Sequence, residues 1–143
     1  MTVARRALED VAVGDEIPER TLVVDRAQLV QYAGASGDFN PIHWNPDFAR
    51  MVGLPGVIAH GMFTMALVAR AVGEWAGDAG AVRRISVQFR REVLPEEKVV
   101  AKGRVAEKDE EARTVRLELW AELERDGKVL QPIKNGEAVV ELS

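Results

Sequence analysis

Residues 61–75, GMFTMALVARAVGEW, decide the fold. The first half of this segment, Met62 to Ala69, is apolar on nearly every face of a helix. A helix that is apolar all round is normally enclosed by protein. The apolar run stops at Arg70 after eight residues, far short of the ~20 that a membrane span needs. A helix over roughly 61–75 therefore belongs in an interior, and the remainder of the chain has to supply its cover.

The cover is read downstream. After GDAG (residues 77–80) the apolar period changes. Ile85, Val87 and Phe89 alternate with Ser86, Gln88 and Arg90, and Val115, Leu117, Leu119, Ala121 and Leu123 alternate with charged residues and Trp120. Both are patterns of half-buried antiparallel strands. A further strand fits 99–105, and EKDEEAR (107–113) reads as a solvated hairpin turn. Asp126-Gly127 is a strong tight-turn signal. The last strand runs to Leu142 and is interrupted near Pro132 and Asn135-Gly136, as a bulge would do.

Upstream, a strand is expected over Thr21–Val24. Asp25 caps a helix that begins at Arg26, with Gln28 completing a capping box. Leu29, Tyr32, Ala33 and Ser36 give that helix one buried face. Gly34 and Gly37 weaken and then end it. Residues 38–45 read as irregular, since Pro41 disfavours helix at Asn40. Asn45 caps a short helix with Pro46 in its first position, and Gly53 stops it. The order of one strand, several helices and four strands indicates an α+β chain, residues 1–143 forming one domain with an antiparallel sheet on one buried helix. A flat sheet covers only one side of such a helix; a curved sheet plus a second subunit covers more.

Composition narrows the function classes. The chain has 143 residues, a net charge of −4 and no cysteine. The acidic balance disfavours nucleic acid as a partner, and thiolate chemistry and disulfides are excluded. The N-terminal residues include no apolar core of a secretory signal, so the expected location is the cytoplasm, with no membrane association. The two histidines lie seventeen residues apart with no matched ligand cluster, so neither a metal nor another cofactor is expected.

SGDFNPIHWNP, residues 36–46, concentrates the chemistry: Asp38, Asn40, Pro41 and His43 fall within six residues. Asp-x-Asn and Asn-Pro are turn formers, so in the bland reading Asp38 closes the preceding helix and His43 is a satisfied surface histidine. The chemical reading starts from the position of the loop, between two capped helices and shortly before the glycine-rich entry to the buried helix. A buried helix N-terminus presents unpaired N–H groups and a positive dipole end. His43 can exchange a proton with water near neutral pH, Asp38 can hold that water or move a second proton, and Asn40 can fix the loop. Gly61, lacking a side chain, lets a carbonyl oxygen approach its N–H.

YAGASGDFNPIHWNPDFA, followed by GVIAHGMFTMALVA, resembles the MaoC-like (R)-specific enoyl-thioester hydratase and (3R)-hydroxyacyl-thioester dehydratase family, over essentially the whole chain. Within it the chain is most similar to catalytic subunits of actinobacterial type II fatty acid synthase dehydratases, which pair with a related subunit lacking the motif. The resemblance implies a hot-dog fold, in which an antiparallel sheet wraps one long helix, and assembly as a homodimer or as a heterodimer with a related hot-dog subunit. It implies a substrate carried on coenzyme A or acyl carrier protein, a catalytic pair at Asp38 and His43, an oxyanion-binding N–H at Gly61, and loop support from Asn40 and Pro41. One position departs from the pattern. Some members carry a helix serine eight residues after the glycine of H-G-M, where this chain has Ala69, and Thr64 is expected on a different face.

The remaining candidates are substrate contacts at His60, Met62, Arg90 and Arg91. His60 reads more simply as a structural hydrogen-bonding residue, and Met62, Phe63, Met65 and Leu67 as core with some lining an acyl tunnel. Phe39 and Trp44 read as packing. The basic pairs Arg83-Arg84 and Arg90-Arg91 read more simply as a solvated strand edge, and more sharply as a dock for a phosphopantetheine or an acidic carrier protein. Beside the enzyme stand a non-catalytic acyl-binding hot-dog subunit and, with less support from the loop, a thioesterase.

Overall fold

The computed structural model describes residues 4–143. Strand β1 (Arg20–Val23) is followed by helices α1 (Arg26–Ser36), α2 (Pro46–Met51) and α3 (Gly61–Ala76), and then by β2 (Val82–Phe89), β3 (Lys98–Asp109), β4 (Thr114–Arg125) and β5 (Lys128–Glu141). The strands form one antiparallel sheet in the order β1-β3-β4-β5-β2. All five strands contact α3. This is a curled sheet around one central helix, the hot-dog arrangement of an α+β chain.

The register explains the packing. Val105 pairs with Leu117, Leu117 with Ala138 and Ala138 with Ile85. Together they form a row across four strands on the face that meets the helix. The alternation expected for β4 is present: Val115, Leu117, Leu119, Ala121 and Leu123 are buried, while the residues between them are more accessible. Each large aliphatic side chain buried here contributes about 1.5–3 kcal/mol relative to exposure. β5 bends to follow the helix. Ser86 pairs with Glu137 but Gln88 pairs with Lys134, so β5 carries an extra residue against β2 at Asn135-Gly136. Its register against β4 slips twice, around the same dipeptide and around Pro132. Asn135 takes φ 50°. A Cβ on Gly136 would lie 2.6 Å from the Leu119 carbonyl oxygen, so only glycine permits this approach.

The local signals behave as their chemistry requires. Asp25 and Gln28 form the reciprocal capping box of α1, and Gly37 ends that helix in the left-handed region at φ 77°. Asn45 caps α2 and Pro46 opens it. Asp126 and Gly127 both have positive φ in the β4–β5 turn, as a type I′ hairpin needs.

The structure departs from the sequence reading at several places. Ser36 is exposed, because the last turn of α1 runs past the core. The stretch expected to be irregular contains a 3-10 turn over Pro41–His43. Of the core or loop packing expected for Phe39 and Trp44, the loop alternative is the one found, since both are exposed and Trp44 bonds to Phe39 within the loop; Met62 is exposed too, at 57%. Met62 and Ala66 lie on the side of α3 that the sheet leaves open. Phe89, at the end of edge strand β2, is exposed as well. Among the described residues, no helix is long and apolar enough to cross a membrane.

Among the described residues, three polar side chains are buried with the core: His43, His60 and Thr64. Burial holds the His60 imidazole below its ordinary pKa of 6.5, the neighbouring His43 adds to this, and contacts with the backbone and charge of Asp38 oppose it. Between that lowered value and 6.5 the unfolded chain binds the proton that the native state refuses. The stability that His60 contributes is therefore fully present above about pH 6.5 and declines as the pH falls below it. We expect the melting temperature to drop on acidification through this range, and His60→Phe, which cannot titrate, to weaken that dependence. Identical pH slopes of melting temperature in the two proteins would contradict it.

Candidate functional site

The loop between α1 and α2 is assembled from short-range bonds. After Gly37 turns the chain, Ser36 Oγ accepts from the Asp38 N–H at 3.2 Å. Asp38 Oδ1 accepts from the Asn40 N–H at 3.2 Å. Asn40 Oδ1 accepts from the Ile42 N–H at 3.3 Å and so caps the 3-10 turn that Pro41 opens. Trp44 Nε1 donates to the Phe39 carbonyl at 2.9 Å and closes the loop over itself. One oxygen of Asp38 is thus engaged within the loop, and Oδ2 lies 3.8 Å from His43 Nε2. That separation exceeds a hydrogen bond.

His43 is not the surface histidine of the bland reading; it is 7% exposed. Its Nδ1 lies 2.8 Å from the Ile58 carbonyl oxygen, and the Ile58 N–H donates to Ile42 O at 3.0 Å. A carbonyl only accepts, so neutral His43 carries its proton on Nδ1. Its lone pair is then on Nε2, the atom facing Asp38.

His60 lies directly behind. Its ring stacks on that of His43 with centroids 3.8 Å apart and planes inclined by 22°. Tyr32 of α1 meets it edge-on at 4.7 Å. His60 Nε2 donates to the Asp38 carbonyl oxygen at 3.2 Å, and its Nδ1 is buried without a partner. At 2% exposure the ring offers no face to a ligand, which differs from the substrate contact considered for it. Asp38, His43 and His60 bring potential ligand atoms within 4.8 Å of one another. The two rings nevertheless lie in nearly parallel planes, so their lone pairs do not converge on one point ~2 Å from both nitrogens, as metal coordination requires.

Gly61 starts α3 directly after His60, and no side chain caps this helix end. The first N–H groups of a helix lack intrahelical partners. Beside Gly61 is a groove of about 250 Å³ lined by Ile58, Thr64, Phe89, Arg90, Arg91 and Glu92, among others. Asp38 and His43 are not in its wall. They join it through His60 and Ile58, each adjacent to or part of that wall. The groove contains two residues that sequence reasoning missed or misplaced. Thr64, three residues after Gly61, lines it with Gly61 rather than facing away. Phe89 closes on Gly61, where an added Cβ would sit 3.1 Å from its ring. Ala69 lies instead at a separate surface with Arg70 and Gly73. Arg90 and Arg91 are exposed at the groove.

A further contact holds the groove's far wall. Arg125, at the end of β4, donates to Glu97 at 2.6 and 2.8 Å, and to the side chain and carbonyl of Glu92 at 2.9 and 3.1 Å. Ala59 N–H donates to Val93 O at 2.8 Å, which ties this wall to the entrance of α3. The sequence marks Arg125 only as a charge near a hairpin, so its partners were not foreseeable from spacing.

Comparison with known proteins places these features. The chain is 44% identical over 77 residues to 3-hydroxyacyl-thioester dehydratase X of Mycobacterium tuberculosis, a match over 54% of this chain and 26% of that protein. It superposes on a structure described as a MaoC-like dehydratase with a TM-score of 0.88 and 35% identity, covering 99% of this chain and 44% of the other. It superposes on the unliganded R-hydratase PhaJ1 from Pseudomonas aeruginosa with a TM-score of 0.83 and 26% identity, over 96% of this chain and 86% of the other. The chain therefore spans about a quarter of the curated relative's length and under half of the first structure's. The profile of the MaoC like domain matches residues 10–124, and the chain belongs to that family.

Proposed function

We propose that this chain adds water to trans-2-enoyl thioesters to give (3R)-hydroxyacyl thioesters, and catalyses the reverse dehydration. The observation that carries this reading is the placement of His43, whose Nδ1 meets the Ile58 carbonyl while its Nε2 lies 3.8 Å from the Asp38 carboxylate. One water lying beside the two atoms, and not between them, can bond to both. The names of the relatives, a hydroxyacyl-thioester dehydratase and an R-hydratase, support the reaction class and its hand.

In hydration, His43 Nε2 takes a proton from the shared water while Asp38 Oδ2 orients it. The water oxygen bonds to C3, and the π electrons move through C2 onto the thioester oxygen. The Gly61 N–H, at the uncapped start of α3, stabilises that enolate oxygen. The Asp38–His43 pair then returns one proton to C2, so that one water has been added across the double bond. Dehydration is the same path reversed. Asn40 and Pro41 maintain the turn that presents His43. Met62 and the groove beside Gly61 receive the acyl or pantetheine portion, and Arg90 and Arg91 attract the phosphates of coenzyme A or of a carrier-protein prosthetic group.

We read the whole chain as one hot-dog domain that works with a second subunit, either a copy or a related hot-dog chain. Met62 and Phe89, exposed beside Gly61, and the unpaired outer edge of β2 support this. The native mass is expected to exceed the 15.7 kDa of one chain; a strictly monomeric, fully active protein would exclude the second subunit.

Absorbance of a 2-enoyl thioester tests the chemistry. Its conjugation should be lost without release of free thiol. Asp38→Asn and His43→Ala, both folded, are each expected to lower kcat by about 10²–10⁴-fold, the worth of a positioned acid or base. Near-normal turnover by both variants would remove the assignment, and thiol release would point to hydrolysis. For the phosphate contacts, added salt should raise KM in the wild type by screening, and the paired Arg90→Ala/Arg91→Ala variant should lose most of that sensitivity. A wild-type KM that does not respond to salt would dispose of this role.

A further inference from the structure

Asp38 and His43 share a loop, but the residue that touches both comes from another segment. His60 lies under the His43 ring at 3.8 Å and bonds the Asp38 main chain through Nε2 at 3.2 Å. Tyr32 backs the ring edge-on, and His60 is itself followed directly by Gly61 at the head of α3. We propose that His60 is a positioning residue that fixes the Asp38 carboxylate and the His43 lone pair relative to each other and to the N-terminus of α3.

The choice of residue type supports this. If packing alone were needed, phenylalanine would fill the space and stack on His43 equally well. The imidazole leaves Nδ1 buried and unpartnered, an unfavourable arrangement that an apolar ring avoids. What the imidazole adds is the Nε2–H donor to the Asp38 carbonyl. A glutamine would supply a donor but no flat face. Histidine combines both functions in a five-membered ring, smaller than the other aromatic side chains that carry a donor. The titratable groups around the ring are Asp38, His43 and Tyr32. Because both bonded oxygens are carbonyls, the two stacked rings carry opposite tautomers: Nδ1–H in His43 and Nε2–H in His60. The Ile58 carbonyl selects the His43 tautomer, and the stack holds the plane of that ring, so that Nδ1 stays on Ile58 and the Nε2 lone pair stays directed at Asp38.

The kinetic part of the test rests on the hydratase reading, and the spectroscopic part does not. Nitrogen-15 imidazole spectra of the full chain at about pH 8, above the histidine range, should show His43 as the pure Nδ1–H form and His60 as the pure Nε2–H form. The opposite tautomer at either ring, or averaging between forms, overturns the proposal. His60→Gln keeps a donor without a ring face, and His60→Phe keeps the face without a donor. Both should lower kcat on a crotonyl thioester about ten- to hundredfold, as misplacement of reacting groups does, with KM within about twofold. His60→Gln should also spread His43 over both tautomers. A folded variant with wild-type kcat, or a loss confined to KM, overturns the positioning role. If neither variant folds, the wild-type spectrum decides. If the wild type fails to hydrate the thioester, the hydratase reading falls, while the tautomers and the response of His43 to His60→Gln still decide the role of His60.

Discussion

Helix α3 buries Thr64, Leu67, Val68, Ala71, Val72 and Trp75, which form one broad face, and every strand of the sheet packs on it. A flat sheet cannot do this. The sheet has to curl, and the curl is concentrated in β5, where register slips against both neighbours bend the strand. At Gly136 β4 and β5 approach more closely than a side chain allows. Enclosing the helix also decides where its N-terminus emerges. The α1–α2 loop and the 90–97 segment meet the chain immediately before Gly61, through Ile42–Ile58 and Val93–Ala59 backbone bonds. The loop with Asp38 and His43 is thereby brought to the helix end by the same packing that builds the core.

Burial favours the uncharged form of His60, whose ring stacks on that of His43 at 3.8 Å. Asp38 is the more exposed member of the group, with its carboxylate open to water on one side. The two side chains of the loop thus occupy different environments, the carboxylate at the solvent boundary and the His43 imidazole inside it.

Much of the framework is legible in the residues because its signals are local. The capping box of Asp25 and Gln28, the Asn45-Pro46 helix start, the Asp126-Gly127 turn and the alternation of β4 each depend on neighbours a few positions apart. The bulge at Asn135-Gly136 is legible for the same reason: that dipeptide tolerates the backbone angles a bulge needs. What is not legible depends on contacts distant in sequence. Ser36 fits a helical spacing, but the helix leaves the core before reaching it. Met62 is apolar like its neighbours, and only the position of the sheet determines which side of α3 stays open. The Pro41–His43 turn is too short to show a period. The loop motif marks Asp38 and His43 as close, whereas the stacking of His60 on His43, the entry of Thr64 into the groove and the contacts of Arg125 require the folded chain.

The four contacts of Arg125 have a mechanical consequence. They join the loop of Glu92 and Glu97 to the end of a central strand through partly buried ion pairs, which salt screens much less than surface pairs. One flank of the groove beside Gly61 is thereby fastened to the sheet, and on its other sides the bulk of Thr64 and Phe89 bounds the space.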